Sequence, residues 1–505
     1  MAVSARSTTM LMTAIAGALL FVSCTTSVPA RDAATGPQPP TSGATAGSAA
    51  RTGTAAPIEW HDCDNASAPF ECATVPVPVD HDDPDGATLD LAVVKLPATD
   101  PESSIGPLLV NPGGPGGSGI DFVEGNFWPR ALTDNFDLIG FDPRGVGASS
   151  PVDCDFDIEK LYAPDPAPQT PAAVDELESV SKSYVQACAE ANAELLPHMS
   201  TRDVAADVDD LRLALGVMKI NYLGYSYGTS IGQVYADTYP SHIRAMVLDG
   251  VVRLGQPGIE AARDQGLAFD EVFGEFVAEC PSLAGCPDDP AAAFAQIRTQ
   301  LRKAPIPTDD PARDLTSGAF QLGVGQALYV TSFWPTLAKG LQDAARGDGT
   351  TMQSLADQYL GREPDGSYGN QTDAYFAVSC LDWDWPSKPQ EFIQAGRDVA
   401  MTSPYLAEGI ITDYIRCAYW PTPPRPLTQP EAKGSPLIVV VSTTGDPATP
   451  YANGVDLAKE LPKGALITKV GEEHTAYGRG DACVDDAVSA YLISLRPPKE
   501  NLRCT

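Results

Sequence analysis

The chain has 505 residues, 43% of them hydrophobic, enough for a large core and for a domain carrying a substantial insertion. Its 66 acids against 33 bases leave a formal net charge of −33, which argues against nucleic acid and anionic lipid surfaces as partners because both would be repelled. The acidity reads as solubility outside the cell, with a preference for cationic substrates allowed but not demanded.

The first segment reads as an export signal over 1–23. Arg6 supplies a short basic region, and the apolar run 10–22, "MLMTAIAGALLFV", is too short for a comfortable membrane span. "FVSC" then ends at Cys24. Small residues before a cysteine resemble a bacterial lipobox, in which Cys24 would be acylated, although Phe21 stands where leucine is usual. Cleavage after "VPA" (28–30) is the rival, and it would give a free secreted protein rather than a cell-envelope lipoprotein. The stretch to residue 56 is Thr, Ser, Ala, Gly and Pro with almost no large apolar residue, so 24–56 is expected to be a disordered tether.

From Ile58 onward, strands and helices alternate. Strands are predicted at 89–98, 107–111 and 136–142, a helix at 202–216, a strand at 220–228 running into a turn, a helix at 229–239 ending before Pro240, and a strand at 243–252. Val204, Val208, Leu211 and Leu215 share one face of the 202–216 helix. The pattern breaks over 255–433, where helical segments mix with Trp- and Pro-rich loops. It resumes with strands at 436–446 and 465–470 and a helix at 484–495. Such alternation implies an α/β fold, a mostly parallel sheet with helices on both faces. The domain reading is a core of 57–254 and 434–505 with a large, mainly helical lid, 255–433, inserted after strand 6.

Setting Cys24 aside leaves ten cysteines, an even number in an oxidising compartment. Short loops close at least entropic cost, so neighbours along the chain are expected to pair: Cys63–Cys72, Cys154–Cys188, Cys280–Cys286, Cys380–Cys417 and Cys483–Cys504. With no C-x-x-C pair, no H-E-x-x-H and no histidine cluster, neither a metal nor a cofactor is expected.

"NPGGPGGSG" (111–119) after the 107–111 strand contains Gly114-x-Gly116-x-x-Gly119, the pattern of a dinucleotide-binding turn, and Asp142 would even fit a ribose contact. Yet Pro115 removes an N–H from the turn, and the next stretch, with Gly125 and Pro129, makes a poor crossover helix. The loop serves better as a source of one N–H for a developing oxyanion.

"GYSYG" (224–228) is G-x-S-x-G at a strand-to-helix junction, a turn so tight that glycines must flank the exposed Ser226 Oγ. A serine needs a base. In the order serine, acid, histidine, only His242 and His474 of the five histidines (with His61, His81 and His198) follow Ser226. His242 sits at the entry end of a strand, the edge opposite such sites, and reads as structural. His474 lies just past the exit end of the 465–470 strand. Asp446, past the end of its own strand, is the preferred acid, with Asp249 the runner-up. Glu472 and Glu473 are too close in sequence to orient the ring of His474. Tyr227, after the nucleophile, and Gly114 are the expected oxyanion donors.

Taken together, "NPGGPGGSG", "GFDPRGVGASS", "YLGYSYGTSIG", "VLDGVV", "VVSTTGDPATP" and "EEHTAYG" resemble the secreted tripeptidyl aminopeptidases of actinobacteria, relatives of prolyl iminopeptidases within the α/β-hydrolase fold. The resemblance runs from about 58 to 505. It implies a serine exopeptidase acting on free N-termini, with Ser226 as nucleophile, Asp446 as acid, His474 as base and Gly114 and Tyr227 as oxyanion donors. Pro112 stands where prolyl iminopeptidases usually carry histidine, so contacts behind this loop differ. In that family acidic lid residues often hold the substrate's amino group; Glu260, Asp264, Asp382 and Asp384 are the candidates. The alternatives are a carboxylesterase or lipase using the same triad and a catalytically inactive binding protein of the cell envelope. A peptide or small ester is the expected partner, and the expected oligomeric state is a monomer.

Overall fold

The computed structural model describes residues 57–63, 69–125 and 128–505; the export signal, Cys24 and the tether lie outside the described residues. Ten strands form one sheet: β1 His61–Asp62, β2 Glu71–Pro78, β3 Thr88–Leu96, β4 Pro107–Asn111, β5 Asp137–Phe141, β6 Ile220–Tyr225, β7 Ile243–Asp249, β8 Ile438–Thr443, β9 Gly464–Lys469 and β10 Leu502–Cys504. Their order is β1-β2-β3-β5-β4-β6-β7-β8-β9-β10. From β5 to β10 every pairing is parallel, while β1, β2 and β3 are joined antiparallel, to each other and to β5. The sheet is therefore mixed at one edge.

The central strands β6 and β8 are buried at every position, which explains why they read as continuous apolar runs rather than alternating ones. Helices Thr201–Ala214 and Gly228–Thr238 cover one face through Val204, Val208, Leu211 and Ile231. Helices Gly119–Gly125 and Ala482–Ser494 cover the other through Val123, Val484 and Val488. Thr201–Ala214 starts at a capping box, in which Ser200 and Asp203 satisfy each other's backbone N–H groups.

Between β7 and β8 the chain forms helices from Gly258–Glu279 through Ala407–Asp413. This insertion follows β7, the sixth strand of the sheet once the two-residue edge strand β1 is left out. Phe273, Phe276, Phe294 and Phe320 give it an apolar core of its own. The first half of the chain also contributes to it. Helix Pro171–Ala191, from the β5–β6 crossover, packs Leu177 against Ala262, Trp385 and Phe392. Tyr184 on that helix donates to Asp373 Oδ1 of the insertion at 2.9 Å. Five disulfides join Cys63–Cys72, Cys154–Cys188, Cys280–Cys286, Cys380–Cys417 and Cys483–Cys504. Among the described residues no helix is long and apolar enough to cross a membrane.

Candidate active site

The chain leaves β6 at Tyr225 and turns sharply at Ser226, whose φ of +53° lies in the left-handed region. Such a backbone is costly for a non-glycine residue and persists only where its surroundings hold it. Here the hold is tight: a Cβ on Gly224 would lie 2.4 Å from Gly228 O, and one on Gly228 2.7 Å from Asn111 O. The Ser226 N–H donates to Asp249 O at 2.9 Å.

His474 sits beyond the end of β9. Its Nδ1 lies 2.9 Å from both Asp446 oxygens. With Nδ1–H donating to the carboxylate, Nε2 is left as the basic nitrogen. Asp446 is held in turn by the N–H groups of Ala448 and Thr449, at 3.0 and 2.8 Å, and by Thr449 Oγ1 at 2.9 Å. Both residues are buried. Ser226 and His474 line the same cavity, of about 1660 Å³, roofed by the insertion. No hydrogen bond joins Ser226 Oγ to His474; such bonds commonly tighten only once substrate is bound.

The runner-up acid Asp249 makes no hydrogen bond to the ring. Its Oδ2 instead accepts the N–H groups of Ala476 and Tyr477. His242 pairs with Asp209 at 2.7 Å, at the entry end of β7 and away from this edge.

The loop 111–119 lies against the elbow, since a Cβ on Gly113 would be 2.8 Å from Ser226 Cβ and 2.8 Å from Tyr227 N. The Gly113 N–H is taken by Asn111 Oδ1 at 3.0 Å, and that of Gly117 by Gly113 O at 3.1 Å. The N–H groups of Gly114 and Tyr227 have no protein acceptor among the described residues, as oxyanion donors require. Asp142 is a pin for this loop rather than a ribose acceptor: it accepts from Ser118 Oγ at 2.6 Å, Ile120 N at 3.2 Å and Ala148 N at 2.9 Å.

Of the four acids suggested for the substrate's amino group, only Asp264 lines the cavity. Asp382 is buried beneath it and accepts from Ser200 Oγ at 2.7 Å and from Thr201 N. Through Thr201 Oγ1, 2.6 Å from Tyr227 Oη, it supports the side chain of Tyr227. A carboxyl occupied in this way is a helix cap, not a substrate ligand. Glu260 and Asp384 are exposed and do not line the cavity. The acids that do, beside Asp264, include Asp121, Glu124 and Glu363, none of them part of a motif. Asp121 is open to the cavity yet crowded by protein. That crowding, and then the charges of Asp142, Glu124 and Glu363, push its carboxyl up to about 6. Glu124 and Asp264 are likewise exposed but crowded, and that crowding, followed by the charge of Asp142 for Glu124 and of Glu260 for Asp264, raises both carboxyls.

A strand-end serine on a strained turn, an imidazole–carboxylate pair at the same sheet edge and two unpaired N–H groups beside the serine make an arrangement able to perform acyl transfer. Residues 106–481 match the family model described as the alpha/beta hydrolase fold, and the chain belongs to the α/β-hydrolase family. It is 40% identical over 498 residues to Carboxylesterase B of Mycobacterium tuberculosis, covering 92% of this chain and 94% of that protein. With Serine protease Hip1 of the same organism it shares 38% identity over 478 residues, 89% and 91% of the two chains. With Tripeptidyl aminopeptidase of Streptomyces lividans it shares 33% over 477 residues, 90% and 87%.

Proposed function

We propose that this protein is an exported serine exopeptidase that releases short peptides, tripeptides in particular, from free N-termini through an acyl-enzyme on Ser226. The observation that carries the reading is the convergence of Ser226, the His474–Asp446 pair and the N–H groups of Gly114 and Tyr227 on one acid-edged cavity. His474 Nε2 takes the Ser226 proton as Oγ attacks the scissile carbonyl. Gly114 and Tyr227 stabilise the oxyanion. The imidazolium then protonates the leaving amine, and water releases the acyl group by the same route in reverse.

The relatives named as a serine protease and a tripeptidyl aminopeptidase support a peptide substrate. The carboxylates at the cavity support a free amino terminus, because an ammonium near Asp121 would offset both the desolvation and the neighbouring charges that raise its carboxyl. A second reading, ester hydrolysis by the same residues, is favoured by the relative named as a carboxylesterase. In either case 255–433 acts as the lid over a core of 57–254 and 434–505. Export through 1–23, followed by a lipid anchor on Cys24 or release as a secreted monomer, is in keeping with the five disulfides, which need an oxidising compartment.

Labelling with a fluorophosphonate tests the nucleophile. The expected result is one adduct per chain, mapped to the peptide holding Ser226 and absent from Ser226→Ala. Equal labelling of the variant would reject the assignment.

A further inference from the structure

Residues 473–477 carry His474 past the sheet edge, and they are held from two sides. On the lid side, His474 N donates to Tyr329 O at 2.8 Å, and Val330 and Glu473 form an antiparallel bridge. On the sheet side, Asp249 Oδ2 accepts Ala476 N at 2.9 Å and Tyr477 N at 2.7 Å. Between the two lies Thr475, with φ +64°, a left-handed backbone that is expensive for a β-branched residue and is kept only where its neighbours over-determine it. The main-chain carbonyl of the same Asp249 accepts Ser226 N at 2.9 Å. One residue at the end of β7 thus touches both the elbow and the loop bearing the histidine.

The carboxyl is fully buried, and its Oδ1 has no hydrogen-bond partner among the described residues. A buried acid with half of its acceptor capacity unused is costly, and burial pushes this one up to about 6. The hydrogen bonds the carboxyl does make are to the two N–H groups of the histidine loop.

We infer that Asp249 is a positioning residue which registers the His474 loop against the Ser226 elbow, setting the distance between base and nucleophile. The inference rests on the reading of Ser226 and His474 as nucleophile and base. Asp249 does not orient the ring, since Nδ1 is already shared by the two oxygens of Asp446. Its action runs through the backbone of Ala476 and Tyr477, so an acceptor is needed there, not a charge.

Asparagine can supply that acceptor, because one oxygen already takes both N–H groups. Leucine, of similar size, cannot. The test compares Asp249→Asn, Asp249→Leu and Asp249→Ala, with active sites counted by fluorophosphonate titration so that turnover is read per folded site. The expected result is a loss of about 100-fold in per-site kcat for leucine and alanine, the scale of an ångström-sized misplacement, with KM within about threefold; asparagine should stay within about tenfold of the parent. A merely structural role would lower the number of titratable sites and leave per-site kcat alone. The inference is overturned if leucine or alanine keeps a parental per-site kcat, or if asparagine falls as far as they do, which would give the charge the role. Should alanine leave no titratable enzyme, leucine carries the comparison. Ser226→Ala is run beside them: turnover surviving there would remove the nucleophile reading itself, whereas an inactive Ser226→Ala with a fully active Asp249→Leu would overturn only the role of Asp249.

Discussion

Asp446→Asn is expected to lower kcat by about 10⁴ while leaving KM within a few-fold. The carboxylate does two things at once. Its oxygens accept Nδ1–H of His474, at 2.9 Å each, which fixes the tautomer with Nε2 free. The same oxygens also accept from Ala448 N, Thr449 N and Thr449 Oγ1. An amide has one oxygen to offer. With its oxygen at the Oδ1 position the amide keeps Ala448 N and Thr449 N, but its NH₂ then stands at the Oδ2 position, also 2.9 Å from Nδ1, where donating to Nδ1 forces the proton to Nε2 and the imidazole can no longer act as a base. With its oxygen at the Oδ2 position, the NH₂ meets the N–H groups of Ala448 and Thr449 and the loop loses the acceptor it uses for its own fold. Steady-state kinetics on a tripeptide amide with a free amino group would check this. A loss smaller than tenfold would show that another group orients the histidine.

Gly113→Ala is expected to reduce kcat/KM by at least about 10³ and to lower the melting temperature. The new Cβ would stand 2.6 Å from Tyr225 O, 2.8 Å from Ser226 Cβ and 2.8 Å from Tyr227 N, at a φ of +100°. All three atoms belong to the elbow, and two are main chain, so no side chain can swing aside. Relief requires moving either the 111–119 loop or Ser226, and on the proposed mechanism a lost oxyanion donor alone costs about 10²–10³ in kcat. Gly434→Ala is the control. Its φ is +89°, but nothing lies within 4 Å of the new Cβ, so it carries the backbone strain without the collision. Comparable activity loss in the two variants would show that strain, not contact with the elbow, is responsible.

Those elements whose local chemistry matches their tertiary role were legible in the sequence. Strand β4 falls on the predicted 107–111, β6 and its turn fall on "INYLGYSYG", and the helix Gly228–Thr238 falls on "TSIGQVYADTY" to within a residue at each end. The missed strands lie at the sheet's edges. Strand β2, "ECATVPVP", carries Pro76 and Pro78, which argue against a strand. They are tolerated because β1 covers only Glu71 and Cys72, leaving an open edge at both prolines. Strand β10 has three residues, too few for any pattern, beside the Cys483–Cys504 bridge.

The site divided in the same way. Ser226 and His474 announce themselves through a motif and through the scarcity of histidine. Asp446 and Asp249 leave adjacent parallel strands at one edge, with Asp249 opposite Val441 in register, so only the reach of its loop beyond the sheet favours Asp446 in the sequence. The direction of the His474 ring agrees with that preference. Asp382 looked like any lid acid; that it caps the helix starting at Thr201 depends on a contact across 182 residues of sequence. The acids that face the cavity, Asp121 and Glu124 on one short helix and Glu363 in the lid, have no shared pattern and meet only in the fold.

Reading of a free amino terminus is checked by comparing kcat/KM for one tripeptide amide with its N-terminus free and acetylated, alongside a small ester of matched leaving-group reactivity. The expected result is a fall of at least about 100-fold, or about 2.7 kcal/mol, on acetylation, from loss of the ammonium that the cavity carboxylates would pair. Equal rates on the free and acetylated peptides, with the ester turned over faster than both, would overturn the exopeptidase reading in favour of the esterase.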